Sequence, residues 1–146
     1  MIRSAIVDRE IDPSALIAEV RSDSAGAVSV FIGTVRDFND GRSVVRLEYE
    51  AYRAMAESEL SAIVREAAAK YEIGSLVAEH RIGELSVGDV SVAIAASHAH
   101  RTAAIECAQF VIEEIKKRVP IWKREHFVDG TREWIDPTAN AEVTAP

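Results

Sequence analysis

The residues of this chain that could do chemistry are mainly its positively charged ones. The segment VPIWKRE, residues 119–125, follows directly after Lys116, Lys117 and Arg118, so that five cations surround one proline and one tryptophan. Such a group can bind a phosphate or a carboxylate, and a partly desolvated lysine can transfer a proton or form a covalent adduct. The chain as a whole carries a formal net charge of −7, which argues against a general nucleic-acid binder. We therefore predict a local anion site.

Lys116 differs from its neighbours in its position on the last predicted helix. On a helical wheel that starts at Ile105, Lys116 lies about 60° from the middle of the apolar stripe, and Arg101 lies almost on its centre. Lys117 and Arg118 point to solvent, where they complement the helix dipole. We expect Lys116 and Arg101 to share the buried face; the alternative for Lys116 is snorkelling, in which the stem packs and the amine reaches water.

The segment after this helix is predicted to deliver a second lysine to the same place. Pro120 ends the helix and turns the chain back, which brings Lys123 close to Lys116. Side chains alternate along a strand, so Lys123 and Glu125 project to the side opposite Arg124. Glu125 can then orient Lys123 by pairing with it.

Two further cationic groups lie at the ends of predicted strands. His98, His100 and Arg101 follow a strand and open the last helix, where backbone N–H groups and a guanidinium could bind an anion. A metal site at the two histidines is not favoured, because no third ligand is evident. Arg36 ends a strand beside Gly33; on its own, such an arginine is usually solvated surface. His80 and Arg81, in the segment EHRIG, are interpreted as strand and turn residues.

Hydrophobic periodicity predicts the elements that position these residues. Strands are predicted at residues 4–7, 27–35, 44–52, 75–82, 90–97 and 122–128, and helices at 12–21, 53–71 and 101–118. Residues 83–89 are predicted as a turn. The alternation from Val44 onward puts Val45, Leu47 and Tyr49 on one side of a strand. The fold class that follows is α+β: a mostly antiparallel sheet with two long helices packed on it, of the α/β hammerhead type.

Composition limits the remaining possibilities. With 146 residues and 48% hydrophobic content, we predict one domain over residues 1–135 and a mobile C-terminal tail over 136–146. The single cysteine, Cys107, excludes an internal disulfide and a cysteine-cluster zinc site. It lies opposite the apolar stripe of the helix with no neighbouring base, so we expect no nucleophilic role. No secretory signal or membrane span is visible, which predicts a cytoplasmic protein. We expect neither a metal nor a cofactor.

Taken together, five segments resemble a known family. FIGTVRDFNDG, LEYEAYRAMAESEL, HRIGEL, SHAHR and KKRVPIWKRE occur in the order and spacing of the large subunit of molybdopterin synthase, and the resemblance spans residues 26–134. It implies a sulfurtransferase of molybdenum cofactor biosynthesis that converts cyclic pyranopterin monophosphate into the molybdopterin dithiolene. The sulfur would arrive as a thiocarboxylate on the C-terminal Gly-Gly tail of a small ubiquitin-like subunit.

The resemblance also implies the residues of the site. The family's catalytic lysine on the last helix matches Lys116, and the lysine of its WK element matches Lys123. The substrate-binding positions match Thr34, Val35, Arg36, His100, Arg101, Lys116, Lys123, Arg124 and Glu125.

The distance along the last helix adds a prediction about assembly. Arg101 and Lys116 are fifteen residues apart, about 22 Å at a rise of 1.5 Å per residue, so one small pterin would not readily engage both on the same chain. We predict a homodimer within a heterotetramer, in which one subunit's His100 and Arg101 face the other's Lys116, Lys123 and Arg36. Two alternatives are a catalytically silent module that docks a ubiquitin-like partner, and a nucleotide or RNA-phosphate binder.

Overall fold

The computed structural model describes residues 1–135, so the tail predicted for 136–146 lies outside the described residues. Its elements in chain order are β1 Ile2–Val7, α1 Pro13–Val20, β2 Ala27–Thr34, β3 Phe38–Asn39, β4 Arg42–Ala51, α2 Arg53–Tyr71, β5 Ser75–Arg81, β6 Gly83–Ser86, β7 Val90–His98, α3 Arg101–Arg118, β8 Ile121–Phe127 and β9 Arg132–Ile135. Among the described helices, none combines the length and the apolar character needed to cross a membrane.

The strands form two sheets, and one of them is mixed. The first has the order β1-β5-β7-β2, with β1 parallel to β5 and the other pairs antiparallel. The second has the order β3-β4-β8-β9, with β6 also paired to β4, and all its pairs are antiparallel. The α+β class is confirmed, but the prediction of one sheet is wrong, because sequence periodicity does not report which strands pair. The hammerhead description and the single domain over 1–135 stay predictions.

The helices cover both faces of the first sheet. The long helices α2 and α3 pack on one face, and the short α1 packs on the other. Successive residues of β7 face opposite sides of the sheet. Val92 and Ile94 lie against the long helices, whereas Ala93 and Ala95 lie against α1. A strand that is buried on both sides reads as a continuous apolar run, as VSVAIAAS does.

The buried face of α3 differs from the predicted one. Ile105 was expected to belong to the buried apolar stripe of the helix, but this residue is 54% exposed. The fully or nearly buried residues of the helix are Ala104, Cys107, Ala108, Val111 and Ile115. The predictions that Cys107 faces away from the core and that Lys116 and Arg101 share the buried face are therefore wrong. Cys107 is buried, and desolvation raises the pKa of its thiol to about 11, which leaves the thiol protonated and unreactive at neutral pH.

Two strand predictions also change. Val45 points outward, because the pairing of β4 with β8 shifts its register between Val44 and Arg46, and Val44 is buried in its place. Residues 83–86, predicted as part of a turn, form β6 beside β4. Glycine is common in turns, and Gly83 has the positive φ, 100°, that such positions often need. The glycine therefore explains why a turn was predicted here.

Arg118 was predicted to point to solvent, but it links the two long helices. Its guanidinium lies 2.7 Å from a carboxylate oxygen of Glu59 and 2.7 Å from one of Glu66, both on α2. Lys117 remains exposed, as predicted.

Candidate active site

The pairing of β4 with β8 sets the direction of the residues after Pro120. Tyr49 is opposite Lys123, and Leu47 is opposite Glu125. Because side chains alternate along a strand, Lys123 and Glu125 share the face of Tyr49, while Arg124 projects from the other face. The return of the chain therefore delivers Lys123 beside the C-terminal half of α3, as the sequence predicted.

This face forms a cavity of about 170 Å³ between the second sheet, the end of β2 and α3. It is lined by Phe31, Gly33, Thr34, Arg36, Phe38, Asn39, Val44, Leu47, Tyr49, Ser91, Val92, Ile112, Lys116, Lys123 and Glu125. Five of the predicted site residues are among them: Thr34, Arg36, Lys116, Lys123 and Glu125. The structure thus brings together cations from a strand end, a helix and a second strand.

Gly33 allows the end of β2 to approach β7 closely. A Cβ atom at this position would lie 2.7 Å from Cγ1 of Val92, closer than packed carbon atoms can come. The register of β2 against β7 also shifts between Gly33 and Thr34. A glycine inside a strand is typical of a bulge or a close approach, and both occur here. The shift directs the chain towards Arg36 at the cavity wall.

Lys116 has an amine with a lowered pKa. The residue as a whole is exposed, yet it lines the cavity, and desolvation by the surrounding walls is the largest cause of the lowered pKa. The positive charges of Lys123 and Arg36 lower the pKa further. An amine in this setting loses its proton more readily than a free lysine and attracts an anion.

A buried carboxylate orients Lys123. Glu125 is 1% exposed, and its Oε1 lies 3.3 Å from Nζ of Lys123, which confirms the predicted pairing. Nδ2 of Asn39 donates a hydrogen bond of 2.6 Å to the same oxygen, and Nη2 of Arg36 donates one of 3.3 Å to Oδ1 of Asn39. A continuous polar chain therefore joins Arg36 to Lys123. The run Asn39-Asp40-Gly41 has the composition of a turn, and nothing in it signals this contact.

A second, smaller cavity lies behind Lys116. It has a volume of about 80 Å³, and its lining includes Tyr49, His80, Ser91 and Lys116. The rings of Tyr49 and His80 meet edge to face with centroids 5.2 Å apart, and burial raises the pKa of the Tyr49 phenol. The sequence alone indicates only that His80 is a strand residue. The period of two in SLVAEHRI was the available signal, since it puts His80 on the side of Leu76, which faces the long helices.

Two predicted site residues lie away from the cavity. The side chain of Val35 is 3% exposed and packs in a small core with Leu85 and Phe127. Arg124 lies on the opposite face of β8, where Nη2 donates a hydrogen bond of 2.6 Å to Glu48 and the guanidinium covers the ring of Trp134 at 4.6 Å. The Arg124 hydrogen bond is the main cause that lowers the pKa of the Glu48 carboxyl.

His100 and Arg101 also lie apart from the cavity within one chain. They stand at the start of α3, whereas Lys116 is near its end. The backbone N–H of His100 donates a hydrogen bond of 3.0 Å to Nδ1 of His98. Within residues 1–135, no group of three or more His, Cys, Asp or Glu side chains is placed to hold a metal ion.

Comparison with known proteins decides the family. Residues 6–118 match the family model described as MoaE protein. The chain belongs to the MoaE family. It is similar to the molybdopterin synthase catalytic subunit of Bacillus subtilis strain 168, with 45% identity over 135 residues that cover 92% of this chain and 85% of the relative. It is also similar to the protein of that name from Oryza sativa subsp. indica, with 44% identity over 140 residues, 92% of this chain and 72% of the relative.

A solved structure agrees with this membership. The crystal structure of molybdopterin synthase from Staphylococcus aureus superimposes on the chain with a TM-score of 0.84 and 38% identity, over 90% of this chain and 95% of that one. The family resemblance drawn from the sequence segments is thus confirmed, and the Staphylococcus aureus protein has the same overall fold as this chain.

Proposed function

We propose that this MoaE-family chain is the cytoplasmic catalytic subunit of a molybdopterin synthase, a sulfurtransferase. It transfers sulfur from the thiocarboxylated C-terminus of a small ubiquitin-like subunit to cyclic pyranopterin monophosphate, and the product is the molybdopterin dithiolene. The observation that carries the proposal is the meeting of Arg36, Lys116 and Lys123 in one cavity of a chain from this family. Both the phosphorylated pterin and the thiocarboxylate are anions.

The cavity binds the substrate through its positive charges. Arg36 provides a planar fork of donors for the phosphate, and charge-assisted hydrogen bonds of this kind fix both position and direction. Thr34 and Arg36 both line this cavity. Holding the pterin in this way presents its side-chain carbons to the incoming sulfur and removes the entropy cost of their encounter.

The two lysines take different parts because their surroundings differ. Lys116 has a lowered pKa, so it acts as general acid and base or as a transient covalent partner. Lys123 is held by the buried Glu125, and its ammonium stabilises negative charge on the thiocarboxylate or on the oxygen that leaves the substrate. The thiocarboxylate sulfur bonds to a substrate carbon, water then cleaves the acyl–sulfur bond, and the tail is left as a carboxylate while the sulfur stays on the pterin. One tail carries one sulfur, so each dithiolene consumes two charged tails.

The donor tail reaches the lysines along a sheet edge. β3 is an edge strand of the second sheet, and both of its residues, Phe38 and Asn39, line the cavity. An extended peptide can pair with such an edge through its backbone while its end enters the pocket. The side chains of VPIWKRE that face the cavity then form its floor.

A second copy of the chain completes the site. β2 is an edge strand of the first sheet, and it exposes Val28 and Ile32 at 39% and 43%, an apolar edge that favours pairing. Two β2 strands paired antiparallel about a two-fold axis set the beginning of one beside the end of the other. Ala27, at the beginning, pairs with His98, so the partner's His100 and the partner's Arg101 come to the end of β2 where Arg36 lies.

Mixing two inactive variants tests the shared site. Lys116→Ala and Arg101→Ala each damage every site of their own homodimer, but a mixed dimer has one intact site and one with both lesions. Random reassociation of equal amounts should restore about a quarter of the wild-type turnover, because half of the dimers are mixed and each has one working site. No recovery after reassociation, or a monomer with full activity, would overturn the shared site.

Reconstitution tests the function itself. The protein is mixed with thiocarboxylated small subunit and cyclic pyranopterin monophosphate, and the dithiolene and the spent carboxylate tails are counted by mass spectrometry. We expect two spent tails per dithiolene. A silent docking module would bind the small subunit and form no product, and in that case removing Lys116 and Lys123 would weaken binding without changing any turnover.

A further inference from the structure

His80 borders the candidate active site from inside the protein. It lies on β5 and is 8% exposed. The smaller cavity in front of it shares Tyr49, Ser91, Val92, Ile112, Lys116 and Lys123 with the larger one. The imidazole therefore borders the region that holds both lysines.

The hydrogen bond of His80 determines which ring nitrogen carries the proton. Its Nδ1 lies 2.9 Å from the carbonyl oxygen of Arg81, and a carbonyl oxygen only accepts, so Nδ1 carries the hydrogen. Burial, and secondarily the charge of Lys116, lowers the pKa of His80 to about 4. The ring is neutral at neutral pH, and Nε2 at its tip keeps a lone pair that can accept a hydrogen bond.

Four residues with O–H or N–H donors line this cavity together with the imidazole: Tyr49, Ser91, Lys116 and Lys123. Of the two lysines, Lys116 is the one whose charge acts on the pKa of His80. Tyr49 approaches from β4, and Lys116 and Lys123 approach the shared cavity from α3 and β8. The strand neighbours in register with His80, Ile6 on β1 and Val92 on β7, are apolar. The cavity of about 80 Å³ exceeds the roughly 10–15 Å³ that one water needs, and its polar walls offer the two to four partners that hold a water.

We propose that His80 is a positioning residue for Lys116. Water in the smaller cavity links Nε2 of His80 to the amine of Lys116 and holds that amine towards Arg36 and Lys123. The neutral ring supplies an acceptor without adding a fourth positive charge to the cluster. The link to turnover rests on the proposed function, whereas the link to the titration of Lys116 does not.

Two substitutions separate this role from a structural one. The side-chain amide of His80→Asn reaches the place of Nδ1, so it keeps the hydrogen bond to Arg81 and loses the acceptor at the ring tip. The longer amide of His80→Gln reaches the place of Nε2, so it keeps an acceptor for the cavity and loses the bond to Arg81. If His80 acts only through its bond to Arg81, Asn should preserve the wild-type behaviour better than Gln. If His80 positions Lys116, Gln should preserve it better than Asn.

The measured quantity is the titration midpoint of Lys116 in the purified protein. Lysines are methylated with ¹³C, and the Lys116 signal is assigned by its absence in Lys116→Ala. Loss of an acceptor for the ammonium should raise its acid dissociation constant about tenfold, which is one pKa unit, in His80→Asn. His80→Gln should stay close to the wild type. If His80→Asn does not fold, His80→Phe serves in its place, because phenylalanine fills the volume of the ring and lacks both nitrogens. The pKa of Lys116 should then be lowered by about the same one unit.

The outcomes distinguish failure of this inference from failure of the proposed function. An unchanged midpoint in His80→Asn, or equal shifts in His80→Asn and His80→Gln, overturns the positioning role. The pH profile of turnover in His80→Asn should move with the midpoint of Lys116, and a profile that stays in place while the midpoint moves also contradicts it. If the wild type forms no dithiolene, the proposed function fails, while the titration still decides the role of His80.

Discussion

The lowered pKa of His80 should make the stability of the protein depend on pH in a defined window. The pKa is 6.5 for a free histidine and about 4 in the folded chain. As the pH falls through 6.5, the unfolded chain binds a proton that the folded chain refuses, so the free energy of unfolding falls. The full difference of about 2.5 pKa units corresponds to a loss of roughly 3 kcal/mol of unfolding free energy, which is complete below pH 4. About 2 kcal/mol of this loss occurs between pH 7 and pH 5.

Urea denaturation at pH 7, 6 and 5 measures this loss. With a urea dependence of about 2 kcal/mol per molar, the midpoint of the wild type should fall by about 1 M between pH 7 and pH 5 because of this one group. His80→Gln does not titrate and should lack that component, whatever its stability at pH 7. The carboxyls of Glu48 and Glu79 have lowered pKa values, below 4.5, so they act mainly at lower pH. These carboxyls and the other histidines are common to both proteins, so they cancel.

The comparison has one result that refutes the reasoning. If the wild type and His80→Gln lose the same free energy between pH 7 and pH 5, the imidazole is not kept neutral by burial. The orientation argued for Nε2 would then lose its basis, since a charged ring would carry a hydrogen on both nitrogens.

Three further perturbations follow from the contacts of the site and of the helices. Gly33→Ala forces its Cβ against Val92 and should cost about 1–3 kcal/mol of unfolding free energy; a variant as stable as the wild type in urea would contradict the close approach. Asn39→Ala removes a hydrogen bond to Oε1 of the buried Glu125 and leaves that oxygen with Lys123 alone; it should cost about 1–3 kcal/mol and slow turnover, whereas equal turnover would show that this contact does not support Lys123. Arg118→Ala should cost about 1 kcal/mol, less at high salt, and a loss independent of salt would exclude the charge pairs as its cause.

Helix limits could be predicted well from the sequence because they depend on local signals. The predicted ranges 53–71 and 101–118 coincide with α2 and α3, since apolar residues recur at helical spacing and Pro120 cannot continue a helix. Strand pairing depends on residues far apart in the chain, so the split into two sheets and the strand β6 were missed. The buried face of α3 was predicted in the wrong direction because Ile105 was counted as buried. Sequence alone does not distinguish an exposed apolar residue from a buried one.

The candidate site was predictable where charge and alternation act together. Lys116, Lys123 and Glu125 meet because one proline turn and one strand period carry them there. His80 and Asn39 were missed because their contacts cross between elements: Asn39 reaches Glu125 from 86 residues away. The period of two in SLVAEHRI puts His80 on the inner side of its strand but does not show what the imidazole contacts, and Asn39 leaves no spacing to recognise. Only the folded arrangement reveals these contacts.

The most direct test of the account compares Lys116→Ala with its neighbour Lys117→Ala in single-turnover formation of the dithiolene. Both variants remove one exposed lysine from the same turn of α3, but of the two only Lys116 lines the cavity. We expect Lys116→Ala to lose at least about 100-fold in rate while it folds and binds the small subunit as the wild type does. Lys117→Ala should keep nearly the full rate. If Lys116→Ala converts the precursor at the wild-type rate, or if both variants lose activity equally, sulfur transfer does not depend on this cavity.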